Sequence, residues 1–459
     1  MHLAVIVLAA GKGTRMKSEL PKVLHRAAGR SLLGWVLTAV DPLEADEIIA
    51  VIGHGADAVV EALPSGAVSV VQEPQLGTGD AVRVGLGGCG DAVDTVLVVP
   101  GDMPLLESDT LASVVESHRS QQAAATVLTV KMDDPTGYGR IERRGDQIIG
   151  IVEHRDADDR QCSIDEVNTS VYAFDAALLA DALGRLGRDN SQDEYYLTDV
   201  IAILNADSRR VVGVVADAVE GTGVNSHAQL AGVAAVLRRR INDRLMAEGV
   251  AMIDPSRVYI DAGVVVEPCA TIYPDVYLEG DTVVAAGAVI GPNVHARDTS
   301  IAPGAIVRFS VLDGAVIGSG ATVGPFTYLR PGADLREGSK AGAFVEIKNS
   351  QVGVGSKVPH LSYIGDTTIG EASNIGAATV TVNYDGFEKH RTKIGDRVKI
   401  GSDTMLIAPL TIGDDAYTGA GSVITHDVAP GALAIERSLQ REFPGYAERR
   451  KRRASQDGE

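Results

Sequence analysis

The second half of the chain repeats with a period of six residues. From about Ile253 to Ile435, aliphatic residues return at every sixth position, and glycine often follows them directly. This period matches neither an α-helix nor the two-residue alternation of an ordinary strand. It fits a β-solenoid, in which one side chain per hexapeptide points inward and small residues occupy the corners. Three separate series keep the period: Val266, Ile272, Leu278, Val284, Ile290 and Ala296; Ile317, Val323, Leu329 and Leu335; and Ile394, Ile400, Leu406, Ile412, Thr418 and Ile424.

Three hexapeptides would form one triangular coil, and the region resembles a left-handed parallel β-helix of hexapeptide repeats. The series slip in phase between one another, and the longest interruption runs from Asn383 to Lys393. We interpret this stretch as a loop inserted at one corner. Inserted loops in solenoids usually carry function rather than packing.

The first 225 or so residues alternate apolar runs with helical patterns, which predicts an α/β fold with a mostly parallel, Rossmann-like sheet. An amphipathic pattern between Leu230 and Leu245 predicts a linker helix after it. We therefore expect an α/β domain at 1–227, a linker helix at 228–248 and a β-helix domain with a charged tail at 249–459. The strand candidates are Ala4–Leu8, Ile48–Ile52, Val68–Val71, Val96–Val99 and Ala125–Val130.

A glycine-rich turn follows the first strand candidate directly. Gly11 and Gly13 stand two residues apart, with the cations Lys12, Arg15 and Lys22 nearby. Such a turn lets backbone N–H groups close on phosphate oxygens, and the cations would neutralise a triphosphate. The third glycine of a dinucleotide fingerprint and the closing G-K-[ST] of a Walker A loop are both missing. The pattern favours a nucleotide site of another kind, against the simpler reading of a plain left-handed turn.

Charge and cysteine content narrow the partners. The formal net charge is −19, which argues against nucleic acid or an anionic membrane surface as a partner. No apolar run approaches the roughly 20 residues of a membrane helix, so we expect no membrane insertion. Cys89, Cys162 and Cys269 are widely spaced and form neither a metal pair nor a disulfide framework, which fits a reducing cytoplasm.

For two residues, Asp102 and His360, the sequence allows either a chemical role or an ordinary structural one. Asp102 ends the strand Val96–Val99, where a carboxylate either holds Mg²⁺ beside substrate phosphates or caps the next helix. His360 lies within the repeats, where a lone histidine is usually ordinary surface. An imidazole could nevertheless act as a general base, because it titrates near neutral pH.

The segment Leu8–Leu24 resembles the signature of sugar-phosphate nucleotidylyltransferases. With further motifs in order over roughly residues 3–440, the chain resembles the bacterial family of bifunctional N-acetylglucosamine-1-phosphate uridylyltransferases and glucosamine-1-phosphate acetyltransferases. The resemblance implies acetyl transfer from acetyl-CoA to glucosamine-1-phosphate by the C-terminal domain. The N-terminal domain would then transfer UMP from UTP to N-acetylglucosamine-1-phosphate and release pyrophosphate. It also implies Mg²⁺ as cofactor, a homotrimer and a product used in cell-wall synthesis.

The resemblance also assigns site residues in the N-terminal domain. Asp102 and Asn225 would hold the metal, and Gln72 with its glycine-rich neighbours would read the base. The full set implied for UTP and UDP-N-acetylglucosamine is Leu8, Ala9, Ala10, Gly11, Arg15, Lys22, Gln72, Gly77, Thr78, Gly139, Glu153, Asn168 and Asn225.

In the second domain, the resemblance implies His360 as the general base. Glucosamine-1-phosphate would be bound by Arg330, Lys348, Tyr363 and Asn374. Acetyl-CoA would be bound by Ala377, Asn383, Tyr384, Ser402, Ala420 and Arg437.

Two positions depart from the family pattern near the nucleotide. Pro100 stands where an aromatic residue is frequent, and Asp80 stands where a histidine is common. These departures leave nucleotide preference open. Two rivals remain: a sugar nucleotidylyltransferase that uses GTP, ATP or dTTP with a purely structural β-helix, and a non-catalytic regulatory subunit.

Overall fold

The computed structural model describes residues 2–456. The chain divides into two compact units, one up to Ile241 and the other from Asn242 onward. The last three residues of the charged tail, 457–459, lie outside the described range.

The N-terminal unit is built on one twisted sheet with helices on both faces. Its strands run in the order β11-β7-β10-β6-β1-β4-β5, and the β8–β9 hairpin pairs with β10. The pairs β1–β4, β1–β6, β4–β5 and β7–β11 are parallel, while β10 runs antiparallel to both its neighbours. The strands are β1 Leu3–Leu8, β2 Arg26–Ala27, β3 Arg30–Ser31, β4 Glu47–Ile52, β5 Val68–Val71, β6 Thr95–Pro100, β7 Ala125–Lys131, β8 Arg140–Arg144, β9 Gln147–Val152, β10 Glu166–Asp175 and β11 Val211–Ala216. The helices are α1 Leu32–Val40, α2 Ala56–Glu61, α3 Thr78–Leu86, α4 Ser108–Ser120, α5 Asp159–Cys162, α6 Ala176–Gly184 and α7 Asp199–Ala206.

Both faces of this sheet are buried, which explains why the strands are apolar without alternation. Along β1, Ile6 packs into the core under α3, α6 and α7, whereas Val5 and Val7 pack into the core under α1 and α4. The predicted α/β fold with a mostly parallel sheet is confirmed, and each predicted strand lies within one residue of its observed bounds.

The C-terminal unit is a left-handed parallel β-helix with three long parallel sheets. The first sheet stacks Ala251–Met252, Thr271–Ile272, Val289–Ile290, Ile306–Val307, Thr322–Val323, Lys340–Ala343, Lys357–His360, Asn374–Ile375, Lys399–Ile400, Tyr417–Thr418 and Leu433–Ala434. The second stacks Val258–Ile260, Val276–Glu279, Val294–Arg297, Ser310–Asp313, Tyr328–Leu329, Glu346–Lys348, Tyr363–Gly365, Val380–Val382, Met405–Ile407 and Val423–Ile424. The third stacks Val265–Val266, Val283–Val284, Ser300–Ile301, Val316–Ile317, Ala333–Leu335, Ser350–Val352, Thr367–Ile369, Thr392–Ile394 and Leu410–Ile412.

Every residue of the three predicted hexapeptide series is buried in this coil. Val266 pairs with Val284, and Ile272 with Ile290, so one full coil takes 18 residues here. The next pairing, of Val284 with Ile301, takes only 17 residues. Ile301 pairs with Ile317 after 16 residues, and Ile369 pairs with Ile394 after 25, across the inserted loop. The phase slips in the sequence therefore arise from coils shortened by one or two residues and from the one coil that the insertion lengthens.

Two helices complete the chain. Helix α8 spans His227–Ala247, where the amphipathic pattern predicts a helix, and Val233 and Leu237 on it are buried. Helix α9 spans Tyr446–Gln456 with no buried side chain. Much of the predicted charged tail is therefore helical, because Ala, Glu, Arg and Lys are strong helix formers and no Gly or Pro interrupts them. Among the described residues, no helix combines the length and apolar character needed to span a membrane.

Candidate active sites

The side chain of Lys22 packs against the backbone of the glycine-rich turn that follows β1. Gly13 has φ +57°, and a Cβ atom there would lie 2.6 Å from Cβ of Lys22. Any side chain at this position would therefore push Lys22 away. The turn and Lys22 form one packed unit, which accounts for the second glycine of the motif.

Lys22 meets two oxygen ligands from distant parts of the chain. Its Nζ contacts Oδ2 of Asp102, which follows β6, and lies 3.2 Å from Oδ1 of Asn225, just before α8. Both partners are short polar side chains at the edge where β1 and β6 end. Two oxygens that converge on one ammonium group mark a position suited to a cation.

The position also fits Mg²⁺ by its donor set. Mg²⁺ prefers one or two carboxylate or amide oxygens and completes its shell with water and substrate phosphate. Asp102 and Asn225 supply that pair. Residues 2–456 contain no group of three or more His, Cys, Asp or Glu side chains placed to hold a metal ion.

A cavity of about 450 Å³ opens at this edge of the sheet. It lies at the carboxyl ends of parallel strands, where α/β sheets bind ligands. Its lining combines the turn, the base of α3 and the strand-end Asp102. The predicted residues that line it are Leu8, Ala9, Ala10, Gly11, Lys22, Gln72, Gly77, Thr78, Asp102 and Asn168.

Two further predicted residues stand directly behind Asn168. The N–H of Asn168 donates to the carbonyl of Gly139 at 2.9 Å, and a Cβ on Gly139 would lie 3.6 Å from Oε1 of Glu153. Burial raises the pKa of the Glu153 carboxyl, and Oγ1 of Thr198 donates to it at 3.3 Å. The Gly139, Glu153 and Asn168 side of the cavity is thus a connected group.

A bulge in β10 exposes this wall to the cavity. The pairing with β7 shifts between Asn168 and Tyr172, and Ser170 adopts φ +64°. Asn168 is held by a 2.7 Å hydrogen bond from its Nδ2 to the hydroxyl of Tyr172. Bulges commonly re-aim side chains beside binding sites.

Arg15, which was predicted to bind the nucleotide, lies outside the cavity in the described structure. It is exposed on the short helical turn Thr14–Met16 and is not part of the cavity lining within residues 2–456.

Sequence reasoning missed several lining residues. Nε2 of Gln75 donates to the carbonyl of Ala10 at 2.5 Å and so holds the turn. Burial raises the pKa of the Tyr138 hydroxyl, which faces the cavity beside Gly139. The remaining unpredicted polar or glycine residues of the lining are Thr169, Ser170, Glu194, Gly221 and Gly223. Gln75 lies between the predicted residues Gln72 and Gly77, and Tyr138 directly precedes the predicted Gly139, so the sequence around both already indicated a site. Glu194 has no predicted neighbour and reaches the cavity only through tertiary packing.

In the β-helix, His360 and three predicted acetyl-CoA residues form one row along a corner. Backbone hydrogen bonds between successive coils define this row. In each coil, the residue that directly follows the row residue donates its N–H to the carbonyl of the row residue in the preceding coil. These bonds run from Ala378 to His360 at 3.3 Å, from Asp403 to Ala377 at 2.7 Å and from Gly421 to Ser402 at 2.8 Å. The row His360, Ala377, Ser402 and Ala420 spans about 14 Å at the usual spacing of parallel strands. Nη1 of Arg437 donates to the carbonyl of Ala420 at 2.8 Å and closes its end.

A cluster of cations lies on the sheet that begins beyond this corner. Arg330 and Lys348 occupy neighbouring coils, and Nη1 of Arg330 donates to Glu346 at 2.8 Å. Lys389, from the inserted loop, lies near Lys348, and its positive charge lowers the pKa of Lys348. Lys389 was not predicted, although it lies within the interruption Asn383–Lys393.

Tyr363 and Asn383 stand beside these cations. A Cβ on Gly365 would lie 2.5 Å from the hydroxyl of Tyr363 and 2.8 Å from Nδ2 of Asn383. Asn383 also donates to Asp366, so the structure groups it with the predicted sugar-phosphate residues rather than with the row. Asn374 lies on the first sheet between Lys357 and Lys399, and Tyr384 is exposed on the loop.

Comparison with known proteins finds one matching family model in each of the two units. Residues 5–166 match the MobA-like NTP transferase domain, and residues 391–426 match the bacterial transferase hexapeptide, six repeats. The chain is 49% identical to the Bifunctional protein GlmU of Streptomyces avermitilis over 98% of this chain and 94% of that protein. It is 50% identical to the one of Kineococcus radiotolerans, with 96% and 91% covered, and 49% identical to the one of Mycolicibacterium smegmatis, with 98% and 95% covered. The chain therefore belongs to the bifunctional GlmU family.

Proposed function

We propose that this chain makes UDP-N-acetylglucosamine in two steps. The C-terminal unit transfers acetyl from acetyl-CoA to glucosamine-1-phosphate, and the N-terminal unit then joins the product to UMP from UTP and releases pyrophosphate. The observation that carries the proposal is that two separate sites of matching chemistry stand on one chain. One is a nucleotide-sized cavity with cationic and oxygen ligands, and the other is a row beside a cation cluster.

In the N-terminal unit, the turn and Lys22 bind the triphosphate of UTP, and Gln72 faces the base. Asn168, Gly139 and Glu153 contact the sugar. Lys22 neutralises charge on the phosphorus that the sugar phosphate attacks and on the departing pyrophosphate. Mg²⁺, held by Asp102 and Asn225, supplies further charge stabilisation and alignment of the phosphates when bound.

In the C-terminal unit, Arg330, Lys348 and Lys389 bind the phosphate of glucosamine-1-phosphate. His360 takes the proton from the amino group of glucosamine-1-phosphate, so that the amino nitrogen of the sugar can attack the thioester carbonyl of acetyl-CoA. The N–C bond forms, the C–S bond breaks, and CoA leaves as the thiol. The row from His360 to Arg437 gives an extended acetyl-CoA a continuous corner to lie along.

We also propose that the chain works as a homotrimer. An exposed aromatic ladder, Phe309, Phe326 and Phe344, runs along the corner next to the row, with ring centroids 5.9 and 5.2 Å apart. Phe326 and Phe344 are 57% and 59% exposed, and Leu361, which directly follows His360, is 61% exposed. Contiguous apolar surface of this kind favours burial against another protein. Neighbouring copies would then enclose His360. The three free thiols fit a reducing cytoplasm as the compartment.

The deciding experiment is a paired assay on the purified chain. Glucosamine-1-phosphate, acetyl-CoA, UTP and Mg²⁺ are supplied, and CoA and pyrophosphate are followed separately. We expect CoA release to need glucosamine-1-phosphate, and pyrophosphate release to need the acetylated product. Parallel reactions with GTP, ATP or dTTP test the rival nucleotide assignment, and the absence of both products supports a regulatory subunit.

The trimer has its own test. Mass measurement in solution should give three times 47.9 kDa for the wild type. Phe326→Ser should shift the mass toward the single chain and reduce CoA release more than pyrophosphate release. Val423→Ser, also on the exposed face of the β-helix, serves as the matched control. A wild-type mass of one chain with full CoA release contradicts the trimer.

A further inference from the structure

Asp80, one of the two departures from the family pattern, makes a specific contact in the nucleotide cavity. It lies in the first turn of α3, and its side chain is only 13% exposed. Its Oδ2 accepts a hydrogen bond of 2.9 Å from Nε2 of Gln72, the predicted base-reading residue. Gln72 follows β5, is 4% exposed and lines the cavity. The unusual residue therefore touches the side chain expected to read the base.

The hydrogen bonds of Gln72 fix which end of its amide faces the cavity. Nε2 donates to Asp80 and, at 3.0 Å, to the backbone carbonyl of Gly77. Both partners are acceptors only, so the reversed amide would bring oxygen against oxygen at two places. No hydrogen bond from a residue in the range 2–456 reaches Oε1 of Gln72. The oxygen remains as an acceptor for a ligand.

Asp80 is itself held in place. Nη1 of Arg83 lies 3.4 Å from its Oδ1, and Nη2 of Arg83 donates to the carbonyl of Leu183 at 3.0 Å. The guanidinium also stacks over the ring of Tyr195, 4.7 Å from its centroid. A carboxylate in the first turn of a helix is favoured by the helix dipole as well. Arg83, Asp80 and Gln72 thus form a chain of contacts that ends at the cavity.

We propose that Asp80 is a positioning residue that sets nucleobase preference by holding Oε1 of Gln72 toward the base. The inference rests on the proposed uridylyl transfer. Uracil carries a hydrogen on N3 and can donate to such an acceptor, whereas N3 of cytosine has no hydrogen and would face Oε1 as a second acceptor. A fixed acceptor opposite N3 discriminates against a base with no hydrogen at that atom, because the acceptor is then left unpaired. Asp80 therefore favours UTP over CTP.

The test compares UTP and CTP in pyrophosphate release by the full-length enzyme. Asp80→Ala frees the amide of Gln72, so we expect KM for UTP to rise about tenfold with kcat changed far less, and the UTP:CTP ratio of kcat/KM to fall about tenfold. Asp80→Asn keeps an acceptor oxygen of the same shape and should restore most of the ratio. Asp109→Ala, which removes an exposed carboxylate from the first turn of α4, should leave the ratio unchanged.

A double-mutant cycle separates positioning from a structural role. Gln72→Ala should lose the same discrimination, and Asp80→Ala should add nothing in that background. Additive effects, or a wild-type UTP:CTP ratio in Asp80→Ala, overturn the inference. If Asp80→Ala does not fold, Asp80→Glu displaces the carboxylate without removing its charge and should lower the ratio; an unchanged ratio there also overturns it. A wild-type enzyme that releases CoA but does not use UTP overturns the proposed uridylyl transfer and this inference together.

Discussion

Lys389 lies close enough to Lys348 to lower the pKa of Lys348, because two positive charges are brought near each other. The two lysines are far apart in sequence, and the loop Asn383–Lys393 brings them together. Holding two like charges together costs free energy unless an anion shares them. Arg330 lies near enough to act on the same lysine. The Asp366 carboxylate lies near both lysines and offsets part of their charge. We propose that the phosphate of a sugar phosphate is the further anion that this cluster binds.

Lys389→Ala should raise KM for glucosamine-1-phosphate about tenfold, since one charged hydrogen bond to phosphate is lost. Pyrophosphate release from N-acetylglucosamine-1-phosphate and UTP should not change. Lys393→Ala removes an exposed lysine from the next strand and is the matched control. Equal KM values in the two variants would contradict a phosphate role for the loop.

Asp102→Ala should remove uridylyl transfer by about 10²-fold or more while sparing acetyl transfer, because the oxygen pair with Asn225 is broken. Asn225→Ala should act in the same direction with a smaller effect, since it removes a neutral ligand. Pyrophosphate and CoA release are measured on the same preparations, and Asp91→Ala, an exposed carboxylate, is the control. The helix-cap alternative is wrong, because the next helix, α4, begins at Ser108 with Glu107 at its N-cap position. Near-normal pyrophosphate release in Asp102→Ala would therefore contradict the metal role of Asp102 outright.

The sequence predicts the scaffold of both sites well, because local patterns dictate it. Six-residue periodicity identifies buried, inward-facing positions in three stretches of the coil, and Gly13 identifies the turn that packs on Lys22. Between those stretches the phase slips hide others, such as Ile301 and Ile347. Contacts between distant segments carry less signal. Glu194 enters the cavity through the pairing of Tyr195 with Leu76, and no local motif encodes that approach.

In the β-helix too, positions set by the repeat can be predicted from the sequence, whereas contacts made by the irregular loop cannot. The row from His360 to Ala420 follows from residues at equivalent positions in successive coils, so a correct register would place it. Lys389 is different, since its position depends on how an irregular loop folds. That loop is held by Asp385, whose carboxylate accepts N–H bonds from Phe387 and Glu388 and one from His390, which lowers the pKa of Asp385. The sequence predicted a functional role for the loop but not the contacts that its residues make.

A fragment ending at Ala247 should fold and keep uridylyl transfer without releasing CoA. Val233 and Leu237 of α8 pack with Met16 and Leu105 in the N-terminal unit, so the fragment retains this cluster. A fragment ending at Asn225 loses the cluster and should unfold at a lower temperature. Pyrophosphate release and thermal midpoints test both. A folded longer fragment that lacks uridylyl transfer would count against the proposed domain boundary.

The N-terminal unit should lose stability in mild acid through His25. His25 is 9% exposed, its Nε2 has no hydrogen-bond partner in the described structure, and burial followed by the neighbouring His227 lowers its pKa. The unfolded state then binds a proton more readily, so stability is full above the ordinary value of 6.5 and declines as pH falls toward the lowered value. Fluorescence of Trp35, the single tryptophan, reports unfolding of this unit. His25→Gln should flatten the decline between pH 7.5 and 5; an unchanged slope would assign it to other groups, such as His118.

His360→Ala should cut CoA release by about 10²–10⁴-fold, the usual contribution of general base catalysis. His360 is exposed, and its links to the coil run through its backbone carbonyl, which accepts from Ala378 and from Oγ of Ser362. Removing the imidazole therefore leaves the fold, the row and the aromatic ladder in place, so the mass in solution and pyrophosphate release should match the wild type. His426→Ala, another exposed histidine of the β-helix, should retain full CoA release. Full acetyl transfer in His360→Ala would show an ordinary surface residue, and loss of both activities or of the assembly would show a structural one.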